Sequence, residues 1–157
     1  MQMRRQLAQL IRHNPFLMRL AYYTYRVFQP KYSVGAAGVV INDAQHVLLV
    51  EHVFHPKFPW GLPGGWTDAN EAPEKTVVRE LREELGLSVE IERLLIAGKT
   101  KFRHIDFIYL CIAKDDVSAL SYELLGYQWL DYTALPEINP FHRAAIDVAF
   151  EFLANKE

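Results

Sequence analysis

The chain has little of several features that would assign it to a specialised class of protein. It contains one cysteine among 157 residues, Cys111, so neither an internal disulfide nor a cysteine-based zinc cluster is available to it. This cysteine usage is typical of a reducing compartment, and we expect a cytoplasmic protein. No apolar run approaches the roughly 18–20 residues of a membrane span, and the start of the chain lacks the charged-then-apolar pattern of a signal peptide.

Acidic residues are absent from the first 42 positions. That segment carries six basic residues, Arg4, Arg5, Arg12, Arg19, Arg26 and Lys31. The remainder has 11 Lys or Arg and 19 Asp or Glu, a balance of −8. Three interpretations of the basic segment are open: packing on its own domain or in a homodimer, contact with an anionic membrane surface, or attraction of nucleic acid. We favour packing on protein.

Composition and periodicity indicate a mixed fold. Half of the residues are apolar and 23% are charged, as in globular domains. Apolar spacing predicts helices at 3–13, 15–28, 73–85 and 140–154, and strands at 33–41, 46–50, 88–98, 102–114 and 127–130, with 51–71 largely loop. This order predicts an α/β fold, an α/β/α sandwich around a mixed sheet. Residues 1–32 form a basic helical N-terminal extension, here called the arm, and 33–157 form one domain.

The segment RELREELGL, residues 79–87, breaks two local rules of helix stability. Glu80, Glu83 and Glu84 lie three and four positions apart, where like charges cost roughly 0.2–0.5 kcal/mol per pair. Gly86 is a helix stop, so Glu83 and Glu84 also fall at the negative end of the helix dipole. A divalent cation among the carboxylates removes both penalties. Mg²⁺ prefers oxygen ligands and retains water or phosphate, so the segment predicts a Mg²⁺–phosphate site, with Mn²⁺ as a substitute.

The surrounding residues resemble the signature of the Nudix hydrolase family. The signature is Gly, five residues, Glu, seven residues, Arg-Glu-apolar, any residue, Glu-Glu, any residue, Gly-apolar. This chain fills every fixed position between Gly65 and Leu87, with Glu71 as the first glutamate, and LPGG (62–65) precedes it. A match over both long spacers is a specific signal, whereas three glutamates alone are a weak one. The resemblance extends loosely over residues 34–153 and excludes the first 30.

The resemblance implies a role for each matching residue. Glu80, Glu83, Glu84 and the backbone carbonyl of Gly64 would bind the metal. One of these glutamates, or an acid from a later loop, would accept the proton of the attacking water, and Arg79 would orient a catalytic glutamate, with Glu83 within reach. Gly65, Glu71 and Gly86 would shape the loop and end the helix. The implied reaction is hydrolysis of a P–O–P bond in a nucleoside diphosphate linked to another moiety.

Other residues are weaker candidates for binding substrate. They are polar or aromatic positions flanking the motif or on later segments: His52, His55, Trp66, Arg103 and Glu123. For each, an ordinary loop or packing role is an equal or stronger interpretation, and His104 with Asp106 reads as a structural pair. No subgroup signature is visible, so the substrate stays open. The alternative function is a non-catalytic Nudix-type module that binds a nucleotide or RNA.

Overall fold

The computed structural model of the chain describes residues 2–156, apart from the side chains of residues 2, 7, 10 and 11. Its helices are α1 (Gln2–Arg12), α2 (Pro15–Phe28), α3 (Pro73–Leu85) and α4 (Pro140–Ala154). Its strands are β1 (Ser33–Ile41), β2 (Val47–His52), β3 (Trp60–Gly61), β4 (Gly64–Trp66), β5 (Val89–Lys101), β6 (His104–Ala113) and β7 (Leu124–Leu130). One turn of 3-10 helix follows at Tyr132–Ala134. Within the described residues no helix is both long and apolar enough to cross a membrane.

The chain divides into two compact units, one ending at Lys31 and the other beginning at Tyr32. The first contains α1 and α2, which are separated at His13 and Asn14. Asn14 accepts a hydrogen bond from the backbone N–H of Leu17 (3.4 Å), and Pro15 occupies the first helical position. A side-chain cap followed by proline starts a new helix, so the predicted break is confirmed.

The second unit is built on one mixed sheet of seven strands. The strand order is β3-β2-β1-β6-β5, with β4 paired to β1 and β7 paired to β2. Only the central pair, β1 and β6, is parallel, and the other pairs are antiparallel. β1 and β2 form the predicted hairpin. β4 lies against β1 on the same side as β2, which brings the glycines before α3 to the middle of the sheet.

Alternating residues of the central strands bury their side chains in two separate cores. Val40, Leu48, Val50 and Cys111 pack with the apolar side of α3 on one face. Their neighbours in sequence, such as Val39, Leu49 and Leu110, pack with α4 on the other face. Because successive strand residues point to opposite faces, near-continuous apolar strands require helices on both. The predicted α/β/α sandwich is confirmed, as is the burial of Cys111, whose thiol pKa burial raises to about 12.

The predicted bounds of some strands are wrong. β5 runs three residues further, to Lys101, and Arg103 therefore lies in the β5–β6 turn with φ 54° rather than on a strand. β7 begins at Leu124, because β2 supplies pairing partners that far. The segment 51–71 is largely loop, as predicted, but it also contains the end of β2 and two short strands, β3 and β4, whose backbone pairing is set by the neighbouring strands rather than by local propensity.

Candidate active site

Helix α3 carries the motif and packs its apolar side into the sheet. Val77, Leu81 and Leu85 are fully buried there. Gly86 ends the helix in the left-handed conformation (φ 59°), and its N–H donates to the carbonyl of Arg82. A side chain at this φ is strained, and a Cβ would also contact Ser118 Oγ. The helix end is thus held in place by its cap and by the segment that follows β6.

Arg79, on α3, connects the helix to the loop that precedes it through several hydrogen bonds. Its Nε and Nη2 donate to Glu71 Oε1 and Oε2, each at 3.0 Å, in a bidentate pair. Nη1 donates to Glu80 Oε1 (2.8 Å) and to Glu83 Oε2 (3.2 Å), and Nη2 also donates to the carbonyl of Trp66 (3.0 Å). One guanidinium therefore orders three carboxylates and the loop, and its hydrogen bonds to them, first to Glu71, raise the pKa of Arg79 further above its usual value.

Glu71 ties the loop to the helix. Besides the Arg79 pair, its Oε2 accepts hydrogen bonds from Thr76 Oγ1 (2.8 Å) and from the backbone N–H of Asp68 (3.2 Å). Hydrogen bonds from Arg79 and then Thr76 hold the pKa of Glu71 at about 2. The preceding residue, Asn70, has φ 69°, which asparagine tolerates best among non-glycine residues. The family resemblance implies that Arg79 orients a catalytic glutamate. Arg79 does donate to Glu80 and Glu83, but its bidentate partner is Glu71.

Glu84 is the buried acid of the site. Only 7% of the residue is exposed, and its Oε2 has no hydrogen-bond partner. Burial, followed by the nearby charges of Glu80 and Glu123, raises the pKa of Glu84 to about 7, while a hydrogen bond from the Gly64 N–H acts in the opposite direction. A carboxylate oxygen buried without a donor is costly to the fold. The orphaned oxygen is therefore a candidate donor to a cation.

The other acids of the site differ in exposure. Burial raises the pKa of Glu80, and Arg79 partly offsets that increase. The Glu83 side chain is 62% exposed and contacts only Arg79 in this group. Glu123, exposed before β7, is close enough that its charge raises the pKa of both Glu80 and Glu84. The structure therefore brings a distant loop acid to the motif.

The donor set suits a hard divalent cation. Among residues 2–156, no three His, Cys, Asp or Glu side chains converge into a ready-made metal cage. Arg79 takes one oxygen each of Glu80 and Glu83, so the second oxygen of each carboxylate and the unpaired Glu84 Oε2 remain as donors. Mg²⁺ typically needs one or two protein carboxylates and fills its octahedron with water and phosphate oxygens. An incomplete all-oxygen set with one orphaned carboxylate therefore fits Mg²⁺.

Gly65 leaves the space that the Glu80 carboxylate occupies. A Cβ at position 65 would overlap the Glu80 carboxyl group. Since that group is the flexible end of a side chain, we expect Gly65→Ala to fold normally but to displace Glu80. The expected loss in kcat/KM for pyrophosphate hydrolysis is about 10–100-fold. Gly126→Ala is the matched control, because its Cβ would meet nothing nearer than Glu51 Oε2 at 3.9 Å. Equal activity of the two variants would contradict the displacement of the Glu80 carboxylate by a Cβ at position 65.

Two half-buried histidines lie beside each other beyond the motif. His142 Nδ1 accepts a hydrogen bond from the Leu62 N–H (3.2 Å), and both His142 and His52 lie against Gly61. Burial is the main cause that lowers the pKa of each to about 4, with His55 adding repulsion on His52. His52 is among the candidates that the sequence indicates, but His142 is not, because only the docking of α4 brings position 142 beside β3. His55 itself is exposed, with its ring 4.5 Å from that of His52.

The pair predicts acid sensitivity of the fold. Both pKa values lie below the usual 6.5, so the unfolded chain binds about two protons that the folded chain does not between pH 6.5 and 4. The contribution of the two neutral histidines to the free energy of unfolding is fully present above pH 6.5. It decreases as the pH falls from 6.5 to 4, by about 1.4 kcal/mol per pH unit for each proton. His142→Asn keeps an acceptor for Leu62 but does not titrate, so it should remove about half of this slope in denaturant unfolding. His46→Asn is the control, and identical slopes for both variants would refute the assignment.

The remaining candidates lie around a second polar group at the β5–β6 end. His104 Nε2 is 2.9 Å from Asp106 Oδ1, and its Nδ1 is 2.7 Å from Ser33 Oγ, which confirms the predicted structural pair. Trp66 is 65% exposed and its ring lies 4.8 Å from that of His104. Arg103 extends over the Phe102 ring, exposed in the turn. Trp66 thus presents an open aromatic face next to the motif loop.

Comparison with known proteins agrees with this geometry. The profile of the NUDIX domain matches residues 31–149. The putative 8-oxo-dGTP diphosphatase of Bacillus subtilis (strain 168) is 30% identical over 128 residues, which cover 74% of this chain and 85% of that protein.

Solved structures share the fold. A MutT NUDIX hydrolase from Burkholderia pseudomallei has a TM-score of 0.66 at 25% identity, covering 74% of this chain and 97% of its own. A UDP-X diphosphatase also has a TM-score of 0.66 and covers 98% of this chain and 81% of its own, but at 18% identity it shows likeness of fold alone. Taken with the filled signature and the arrangement of α3 on its sheet, these matches show that the chain belongs to the Nudix family.

Proposed function

We propose that the chain is a Mg²⁺-dependent pyrophosphohydrolase that cleaves a P–O–P bond in a nucleoside diphosphate linked to another moiety. The observation that carries the proposal is Glu84, a buried carboxylate with an orphaned oxygen beside Glu80 and Glu123. Such an arrangement costs stability unless a cation completes it. We assign the chemistry to residues 33–157 and treat residues 1–32 as an extension outside it.

The metal would be held by oxygen donors of α3 and of the loop before it. These donors are the carboxylates of Glu80, Glu83 and Glu84 and the backbone carbonyl of Gly64. When bound, a divalent ion supplies neutralisation of phosphate oxygens and Lewis acidity toward water. Mn²⁺ accepts the same donors and is expected to substitute.

The protein's own residues supply orientation and proton transfer. Arg79 keeps Glu80 and Glu83 in fixed positions, and Glu71 keeps the glycine loop against α3. A proton acceptor must both reach the attacking water and release the proton to solvent. Glu83 and Glu123 meet the second condition because both are exposed, whereas Glu84 is buried. We therefore assign proton acceptance to Glu83 or Glu123 rather than to Glu84, whose role is confined to metal binding.

The substrate side of the site is aromatic and basic. The exposed face of Trp66 is suited to stack on a nucleobase, while His52, His55 and Arg103 are candidates for phosphate or base contacts. The name of the Bacillus relative supports a nucleoside triphosphate, in which the linked moiety is a further phosphate. We accordingly include 8-oxo-dGTP among the candidate substrates, together with nucleotide sugars and dinucleotides.

The test is a substrate panel assayed with Mg²⁺, with Mn²⁺ and with chelator. Nucleoside triphosphates, 8-oxo-dGTP, nucleotide sugars and dinucleotides are incubated in ¹⁸O-labelled water, and the phosphate products are identified by mass spectrometry. We expect metal-dependent release with one labelled oxygen, lost in the Glu83→Gln, Glu84→Gln double variant. Turnover retained by that double variant would refute the proposal. Binding of a panel member without turnover by the wild-type chain would instead assign a nucleotide- or RNA-binding module.

A further inference from the structure

Helix α2 has no buried residue despite being largely apolar. Among its 14 residues, Leu20 is 54% exposed and Phe28 is 82% exposed. Five residues one or two turns apart form a continuous strip, which we call the apolar face of α2: Leu17, Leu20, Ala21, Thr24 and Phe28. Thr24 does not interrupt the strip, because its hydroxyl is already satisfied within the helix by donating to the Leu20 carbonyl (2.7 Å). The strip is suited to enter an apolar environment.

The side of α2 away from this strip is cationic. Arg19 and Arg26 lie two turns apart and roughly opposite the apolar face. Tyr22 and Tyr23 flank them, with the Arg26 guanidinium 5.8 Å from the Tyr22 ring centre. Tyrosine combines an apolar ring with a hydroxyl that needs a polar partner, so it suits the boundary between hydrocarbon and water. The helix thus has an apolar face, an aromatic margin and a basic side.

The arm as a whole has one sign of charge. It carries six Lys or Arg and no Asp or Glu, whereas residues 43–157 have an excess of eight acids. An arm-to-arm dimer would bring two such positive segments together. A nucleic acid would neutralise the arginines but would leave Leu17, Leu20 and Phe28 in water. A partner that satisfies both properties must be anionic and must also accept aliphatic and aromatic side chains.

We propose that the arm binds the surface of an anionic phospholipid bilayer. Helix α2 lies in the plane of the interface, with its apolar face among the acyl chains near the headgroups. Arg19 and Arg26 extend to the phosphate level, and the other four basic residues add attraction to the surface. A free helix of 14 residues is marginal in water, so the bilayer also stabilises the helical state. This inference is independent of the proposed hydrolase activity.

The first experiment measures co-sedimentation of the full chain with vesicles. Vesicles of phosphatidylcholine alone are compared with vesicles that also contain phosphatidylglycerol, which gives the surface a negative potential. We expect binding to the anionic vesicles only, weakened by added salt, with a gain in helical circular dichroism. Equal binding to both vesicle types, or to neither, would overturn the proposal.

Two pairs of variants separate charge from apolar insertion. Arg19→Gln, Arg26→Gln should lower the partition coefficient about 25-fold, at about fivefold per removed charge. Its control, Lys75→Gln, Lys99→Gln, removes the same charge from exposed positions outside the arm.

The apolar variant, Leu20→Gln, Phe28→Gln, should lower the partition coefficient about 100-fold or more. Its control, Leu125→Gln, Phe102→Gln, changes the same residue types at exposed positions outside the arm. Loss of lipid binding in a control equal to that in its arm variant would overturn the proposal.

Measurements without lipid test whether a second copy, the rest of the chain or a nucleic acid covers the apolar face of α2 instead. Light scattering gives the mass of the wild-type chain and of the Leu20→Gln, Phe28→Gln variant, and hydrogen exchange reports protection of α2. Fall of a dimer mass to the monomer mass in the variant would assign the face to a second copy. Strong protection of α2 without lipid in a monomer would assign it to packing within the chain. Retention on a single-stranded oligonucleotide without vesicle binding would assign it to nucleic acid. Each of these results would overturn the lipid proposal, and an unchanged melting temperature shows that a variant is folded.

Discussion

Glu84→Gln is expected to abolish turnover and at the same time to stabilise the metal-free fold. The substitution keeps the size of the side chain but removes the charge of a buried carboxylate whose Oε2 has no partner. Loss of this donor should lower kcat/KM by about 10³-fold. Removal of an unpaired buried charge should raise stability in chelator by about 1 kcal/mol, which is about 3 °C in Tm.

The two readouts are measured on the same preparations. Initial rates are determined on the best substrate of the panel, and Tm is determined by calorimetry with chelator and with Mg²⁺. We also expect Mg²⁺ to raise the Tm of the wild-type chain more than that of the variant, because only the wild type gains the missing partner. Glu151→Gln, an exposed carboxylate on α4, is the matched control. Full activity of Glu84→Gln would contradict the role of the Glu84 carboxylate in metal binding, on which the proposed function rests.

Arg79→Lys should be the second most damaging conservative change in the site. Lysine keeps the positive charge but has one ammonium group in place of the planar fork, so the bidentate pair with Glu71 is lost. The contacts to Glu80, Glu83 and the Trp66 carbonyl cannot all be retained by a single nitrogen. We expect kcat/KM to fall by about 100-fold, as is typical when a group that orients metal ligands is replaced.

Arg82→Lys provides the control on the same helix. Arg82 lies three residues further on, its side chain is exposed, and no side-chain hydrogen bond or ion pair of Arg82 occurs among the described residues. It should retain wild-type activity. A positioning role for Arg79 also predicts weaker binding of Mg²⁺, seen as a higher Mg²⁺ concentration at half-maximal velocity of the residual activity. An unchanged half-saturating Mg²⁺ concentration in a slowed Arg79→Lys variant would show that Arg79 acts on substrate instead.

Local patterns were sufficient for much of the secondary structure. Helix α3 runs from Pro73 to Leu85 and α4 from Pro140 to Ala154, both as predicted, because proline at the first turn and glycine or asparagine at the end mark helix boundaries within a few residues. β1 was also placed correctly at Ser33–Ile41, since its apolar run is bounded by turn residues. The errors fall in β3, β4 and the ends of β5 and β7, where pairing with distant strands decides the outcome.

By itself, the sequence determined the family resemblance, the two-faced sandwich and the set of motif acids, because these depend on residue types at fixed short spacings. Only the tertiary structure distinguished those acids from one another. Glu84 is buried because α3 packs against β4, and Glu123 lies near it because β7 pairs with β2. His142 meets His52 because α4 docks beside β3. Burial, orphaned oxygens and shifted pKa values arise from contacts between residues far apart in the chain, which spacing along the sequence does not encode.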